Sequence, residues 1–161
     1  MLVMTARVSK KRVAWGCLGL AILICAACLW TGREQSAPVF EANGSVIQTK
    51  NMDDAASRLE FLTRLGWEVE EQPVEFMEVQ IPREFDEVYT KYNEIQTAQG
   101  MDLAKYRGKR VMRYSYAVKN YPGGESGVRA NMLVYKNKLI GGDVCSAKLD
   151  GFMHGFARPA Q

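Results

Sequence analysis

Cysteine and histidine are scarce where this chain could fold as a globular domain. Cys17, Cys25 and Cys28 share one apolar run, which leaves Cys145 as the only thiol beyond it, and His154 is the only histidine. A lone thiol excludes an intradomain disulfide. One Cys and one His cannot close a zinc site without several carboxylates, so neither a metal nor another cofactor is expected. Acidic residues are missing from the start of the chain, where the first is Glu34. Five prolines and 14 glycines exclude a Pro-rich or collagen-like filament. There is no internal repeat, phosphate loop, nucleophile elbow or dinucleotide fingerprint. What remains is ordinary globular composition, 47% hydrophobic and 24% charged over 161 residues, room for one domain and an appendage.

The appendage is legible. Val13 to Trp30 is an 18-residue stretch without a charge, preceded by Lys10-Lys11-Arg12. As a helix it would span about 27 Å, enough for a hydrocarbon core. Basic residues stay cytoplasmic, so the N-terminus is predicted inside and the main domain outside, with Trp15 and Trp30 near the headgroup layers. The segment is read as a retained single-pass anchor. A cleaved signal peptide is one alternative, and a lipoprotein signal ending at Cys28, after Ala26-Ala27, is another. The expected organisation is a cytoplasmic basic N-terminus over 1–12, a transmembrane anchor over 13–30, a linker over 31–43, an extracytoplasmic domain over 44–157 and a tail over 158–161. A body of about 115 residues can bury an adequate core without a disulfide.

Charge is unevenly spread along the body. Residues 33–94 carry 6 basic and 14 acidic side chains, net −8, whereas residues 95–161 carry 11 and 4, net +7. Either the halves fold together and their charges interdigitate, or a basic face meets an anionic partner. Gly44 to Thr49 reads as a short strand. Ala55, Leu59 and Leu62 recur at helical spacing after Asp53, with Gly66 as the stop. Trp67 to Glu70 and Val74 to Ile81 read as strands separated by Gln72-Pro73. A second helix is predicted from about Arg83 to Gln99, with Phe85, Val88, Tyr89, Tyr92, Ile95 and Gln96 on one face. Met101 to Tyr106 is a short turn or helical piece, and three strands follow: Lys109 to Lys119, Val128 to Tyr135 and Leu139 to Ala147. Helices grouped before strands predict an α+β domain, with both helices packed on one face of a mainly antiparallel sheet.

Several phrases carry a family resemblance: Phe61-Leu62 before Gly66-Trp67-Glu68-Val69; Val79 with Ile81-Pro82; Tyr92-Asn93 and Gln96 before Gln99-Gly100; Asp102-Leu103 with Tyr106 and Gly108-Lys109; Arg113-Tyr114 with Tyr116; Asn120-Tyr121-Pro122; and Ile140-Gly141-Gly142-Asp143-Val144-Cys145-Ser146. Over about residues 55–155 the chain resembles the family catalogued as domain of unknown function 4830. The resemblance implies a small protein of Gram-positive Firmicutes with an N-terminal membrane segment. It implies no activity, catalytic residue or cofactor.

The candidate site residues are Gly141, Gly142, Asp143, Cys145 and His154 in the C-terminal tract, and Lys109, Arg110 and Arg113 in a basic cluster that also holds Lys105 and Arg107. Cys145 and His154 could pair as nucleophile and base, with Asp143 or Asp150 orienting the imidazole; a lone Cys on a strand is more often a small buried hydrophobe. Gly141-Gly142 within a strand marks a bulge or the close approach of a backbone or ligand. Phe152, Met153 and Phe156 either pack back on the sheet or meet a partner. No nucleic-acid partner is expected; the anions outside a membrane are lipid headgroups and wall phosphates. The resulting expectation is a membrane-tethered binding or accessory module of the cell envelope without catalysis. The alternative is an envelope thiol or redox protein using Cys145.

Overall fold

Two aspartates decide where the helices begin. The structure, a computed structural model, describes residues 49–159 and the backbone of residues 40–42 and 45–47. Asp54 caps α1 (Ala55–Arg64), its carboxylate accepting the Ser57 N–H at 3.1 Å. Asp86 caps α2 (Glu87–Ala98) by accepting the Tyr89 N–H at 2.7 Å. Each cap satisfies one of the amides that a first turn leaves without an intrahelical acceptor. The second helix was expected from Arg83. It starts at Glu87, because Asp86 serves as the cap rather than as a first-turn residue, and Val88 lies 76% exposed instead of on the apolar face. Gly66, at φ 83°, ends α1 as predicted.

Phe40–Ala42 (β1) and Ser45–Ile47 (β2) form a small antiparallel pair. The main sheet is antiparallel throughout, in the order β3-β4-β5-β6-β7: Glu75–Gln80, Arg110–Ala117, Val128–Tyr135, Lys138–Ser146 and Met153–His154. A 3-10 turn, Leu103–Tyr106, links α2 to β4. Trp67 to Glu70 is not a strand. It runs beside the end of β4 through one isolated bridge, Val69 to Val118, before Pro73 interrupts the chain. The expected membrane span and most of the expected linker lie outside the described residues. Among the described residues no helix is long and apolar enough to cross a membrane.

The two helices lie against opposite faces of the sheet, which corrects the expectation of one shared face. Strand side chains alternate between faces. On one face Tyr116, Val128, Ala130, Met132, Val134 and Val144 pack with Phe61 and Leu62 of α1. On the other, Val111, Leu133 and Ile140 pack with Leu103 and with Tyr89 and Tyr92 of α2. The acidic and basic halves do interdigitate, through Glu78–Arg110, Glu75–Arg113, Glu70–Lys119 and Glu75–Arg129.

β6 carries the longest unbroken run of buried residues among the described strands, Leu139 to Val144. Its bulge falls at Ile140, between Gly141, which pairs with Leu133, and Leu139, which pairs with Val134. Gly142 follows, and its outer backbone edge extends beyond the two residue pairs that β7 supplies. Side chains of α2 serve there instead. Gln96 Oε1 accepts the Gly142 N–H at 2.7 Å, and Gln99 Nε2 donates to the Gly142 carbonyl at 3.1 Å. Gln99 Oε1 also accepts the Phe156 N–H at 2.6 Å. The Phe156 ring is fully buried against the α1 face and meets Phe61 edge-on at 5.2 Å.

A Cβ at Gly142 would collide with the Asn131 carbonyl and the Phe156 ring. A Cβ at Gly141 would meet the side-chain ends of Gln96 and Leu103, each at 3.0 Å, so that these need give by only a few tenths of an ångström. Gly142→Ala is therefore expected to cost about 3 kcal/mol or more, and Gly141→Ala about 1 kcal/mol. Thermal or urea melts of the two variants check this; equal costs would show that the Phe156 contact does not constrain the strand.

Candidate functional site

The part of the α2 face that α2 leaves uncovered is a groove of about 540 Å³. Its floor follows from strand register. Glu75, Ser115, Asn131 and Asp143 stand opposite one another across β3, β4, β5 and β6. The neighbouring rows bring Arg113 and Leu133 to one side, and Arg129, Cys145 and Met153 to the other. Tyr89 and Tyr92 of α2 form the helical wall.

The floor is a hydrogen-bonded chain. Ser115 Oγ donates to Asn131 Oδ1 at 2.7 Å, and Asn131 Nδ2 donates to Asp143 Oδ2 at 2.8 Å. Tyr92 Oη donates to Asp143 Oδ1 at 2.9 Å. Asp143 is only 3% exposed, and burial pushes its carboxyl above the usual range against the opposing hydrogen bonds of Asn131 and Tyr92. Burial and the Asp143 carboxylate together hold the Tyr92 phenol well above its usual value. These groups position one another. None is left as a free acid or base at the groove surface.

Cys145 and His154 do not form a pair. Cys145 stands opposite Met153, whereas His154 stands opposite Val144, so the thiol and the imidazole project from opposite faces. Cys145 lines the groove, where Asn131 Nδ2 donates to its sulfur at 3.3 Å. Burial, reinforced by Asp143, pushes the thiol up to about 11. A thiol at that value is almost wholly protonated near neutrality and is a poor nucleophile. His154 instead belongs to an aromatic stack with Trp67, Tyr121 and Phe152. Its Nδ1–H donates to the Gly155 carbonyl and its Nε2 accepts from Tyr121 Oη at 3.2 Å. That stack, with Phe156, packs the C-terminal tract back on the sheet.

The basic cluster divides as well. Arg113 enters the groove, Arg110 pairs with Glu78 on the other side of β4, and Lys109 precedes the strand on the exposed surface. Arg107 lies over the Phe85 ring and Lys105 approaches Asp102 at 4.0 Å. Gly141 and Gly142 are buried under α2 and Phe156. Of the residues singled out in the sequence, the groove thus gathers Asp143, Cys145 and Arg113. Sequence reasoning missed Glu75, Tyr92, Ser115, Arg129 and Asn131 as partners in one site. Their signal was an odd-numbered polar series, 113, 115, 129 and 131, which reads as a solvent face until a helix is placed over part of it. Among the described residues no three His, Cys, Asp or Glu side chains gather as a metal site.

The thiol can be tested directly. With Cys17, Cys25 and Cys28 changed to Ser, alkylation of Cys145 is expected to be slow at pH 7.5, with a pH–rate midpoint near 11. Asp143→Asn is expected to lower that midpoint, since it removes a nearby negative charge. The raised folded-state value also implies stability that is present below pH 9 and lost as pH rises through about 11. A midpoint at or below 9 would contradict this account.

Comparison with known proteins places the chain. The family model described as Domain of unknown function (DUF4830) matches residues 61–144, from Phe61 in α1 to Val144 in β6. No curated protein matches the chain, and no solved structure does. The match covers more than half of the sequence and includes part of α1, all of α2, β3, β4 and β5, most of β6 and most of the groove floor. This chain belongs to the domain of unknown function 4830 family.

Proposed function

We propose that this protein is a non-catalytic binding module of the bacterial cell envelope, tethered by residues 13–30 with its domain outside the membrane. The observation that carries the binding reading is the groove. It has a polar floor fixed by its own hydrogen bonds, a protonated thiol and charged side chains along one flank. Such a surface offers recognition without an activated nucleophile or an unengaged acid–base pair. The apolar run and its basic flank support the tether and its orientation.

Two measurements test the two halves of the reading. External protease on protoplasts is expected to remove the body without lysis; protection until lysis would reverse the orientation. Ala147 is exposed and lines the groove. Ala147→Trp should fill the groove with little effect on the melt and should fail to complement a deletion strain. Ala56→Trp, on the exposed side of α1, should complement. Full complementation by Ala147→Trp would remove the groove from the function.

A further inference from the structure

We infer that Arg113 and Arg129 form a carboxylate-binding clamp at the groove mouth, held in the free protein by Glu75, whose ligand is the free C-terminal carboxylate of a peptide. The inference rests on the binding reading above. Glu75 Oε1 lies 3.1 Å from Arg113 Nη2, and Oε2 lies 3.6 Å from Arg129 Nη1. One carboxylate already bridges both guanidinium groups, which establishes the size and charge of the group the space accepts. The second contact is long, and Glu75 is 37% exposed on β3, which has no further strand beyond it among the described residues, so its side chain can swing to solvent.

The clamp is also incompletely filled. Arg113 Nε is buried and has no hydrogen-bond partner, although Nη2 reaches both Glu75 and Met77 Sδ. A buried donor of a charged group without an acceptor is unfavourable, and an incoming carboxylate oxygen relieves it. Guanidinium forks suit planar carboxylates. Beyond the clamp the half-buried Asn131 Oδ1, which accepts only from Ser115, has a second lone pair suited to a peptide N–H, and the half-exposed Met153 suits an apolar side chain. Glu75 is thus an internal competitor: displacing it leaves both arginines for the ligand.

The test is titration calorimetry on the full-length chain purified in detergent. The probes are a mixed-sequence pool of N-acetylated tripeptides with free carboxylates, the matching C-terminal amide pool, and inorganic phosphate. The acid pool is expected to bind, with the amide pool at least tenfold weaker and phosphate not competing. Arg113→Gln and Arg129→Gln should each weaken the acid pool at least tenfold. Arg113→Lys and Arg129→Lys, which keep the charge, should weaken it less if the Gln variants prove unfolded. Glu75→Gln should strengthen binding at least threefold. Equal binding of acid and amide pools, abolished by Ala147→Trp, would overturn the carboxylate clamp while leaving the groove as the binding site. Competition by phosphate at equal strength would overturn carboxylate selectivity. Weaker binding in Glu75→Gln would overturn the competitor role. No binding of either pool overturns the inference, and complementation by Ala147→Trp then decides separately whether the groove itself is used.

Discussion

The structure turns on the backbone of Gly142. A strand edge must give its amides and carbonyls to something, and β6 outlasts its neighbour β7, which pairs only at Val144 and Cys145. Gln96 and Gln99 fill the place of the missing strand by taking the Gly142 N–H and carbonyl. An orphaned pair of such groups would cost about 1–3 kcal/mol for each. The same residue must also lack a side chain, because the Phe156 ring occupies that space from the α1 face. Helix, strand and C-terminal tract therefore meet at one position, and the requirement is for glycine because of crowding, not because of backbone conformation.

This attachment determines where the groove lies. With its C-terminal half bound to the outer edge of β6, α2 covers Leu133, Ile140 and Val111 and stops short of Ser115, Asn131 and Arg129. Uncovered sheet in a core position would ordinarily be apolar. Here it carries a polar row in which Ser115, Asn131 and Asp143 are hydrogen-bonded in series and on to Tyr92, with Asp143 desolvated at the helix end, while Glu75, half-exposed at the edge, pairs with Arg113 and Arg129. Buried polar groups are tolerated when they are hydrogen-bonded, and a fully connected row holds each side chain in one orientation. The floor is therefore rigid, and the adjustable charges sit at its rim.

Local order was legible in the sequence; the relation between layers was not. Asp before an amphipathic run and Gly66 after it fix α1, and period-two alternation gives β4, β5 and β6 close to their observed limits. Alternation cannot say which face a helix covers, since Met112–Tyr114–Tyr116 and Val111–Leu133 both qualify as apolar sets once Arg113 and Ser115 are allowed beneath a helix. Parity also governs the site. Nine positions separate Cys145 from His154, an odd number, and an antiparallel return at the observed register sends them to opposite faces. Proximity in sequence suggested a pair, and the pleat prevents it. Spacing puts Gln96 on the same face of α2 as Tyr89 and Tyr92, yet nothing local reveals that a strand edge needs it and Gln99.

The division between fixed and adjustable parts bears on how the proposed ligand would be received. The floor lies on the central strands β4, β5 and β6, whose pairing is continuous across the sheet. Glu75 lies on β3, which among the described residues has one neighbouring strand, β4. Binding that merely exchanges one carboxylate for another at the arginines would order no new backbone, and the entropy of association would be offset by contacts to a surface already in place. An exchange of this kind also keeps the charge balance of the free protein. Two cationic forks with no anion between them would repel each other across a partly desolvated space. The edge-strand glutamate thus stabilises the free state through the same geometry that makes it displaceable, and the affinity available to a ligand is the difference between its contacts and those Glu75 gives up.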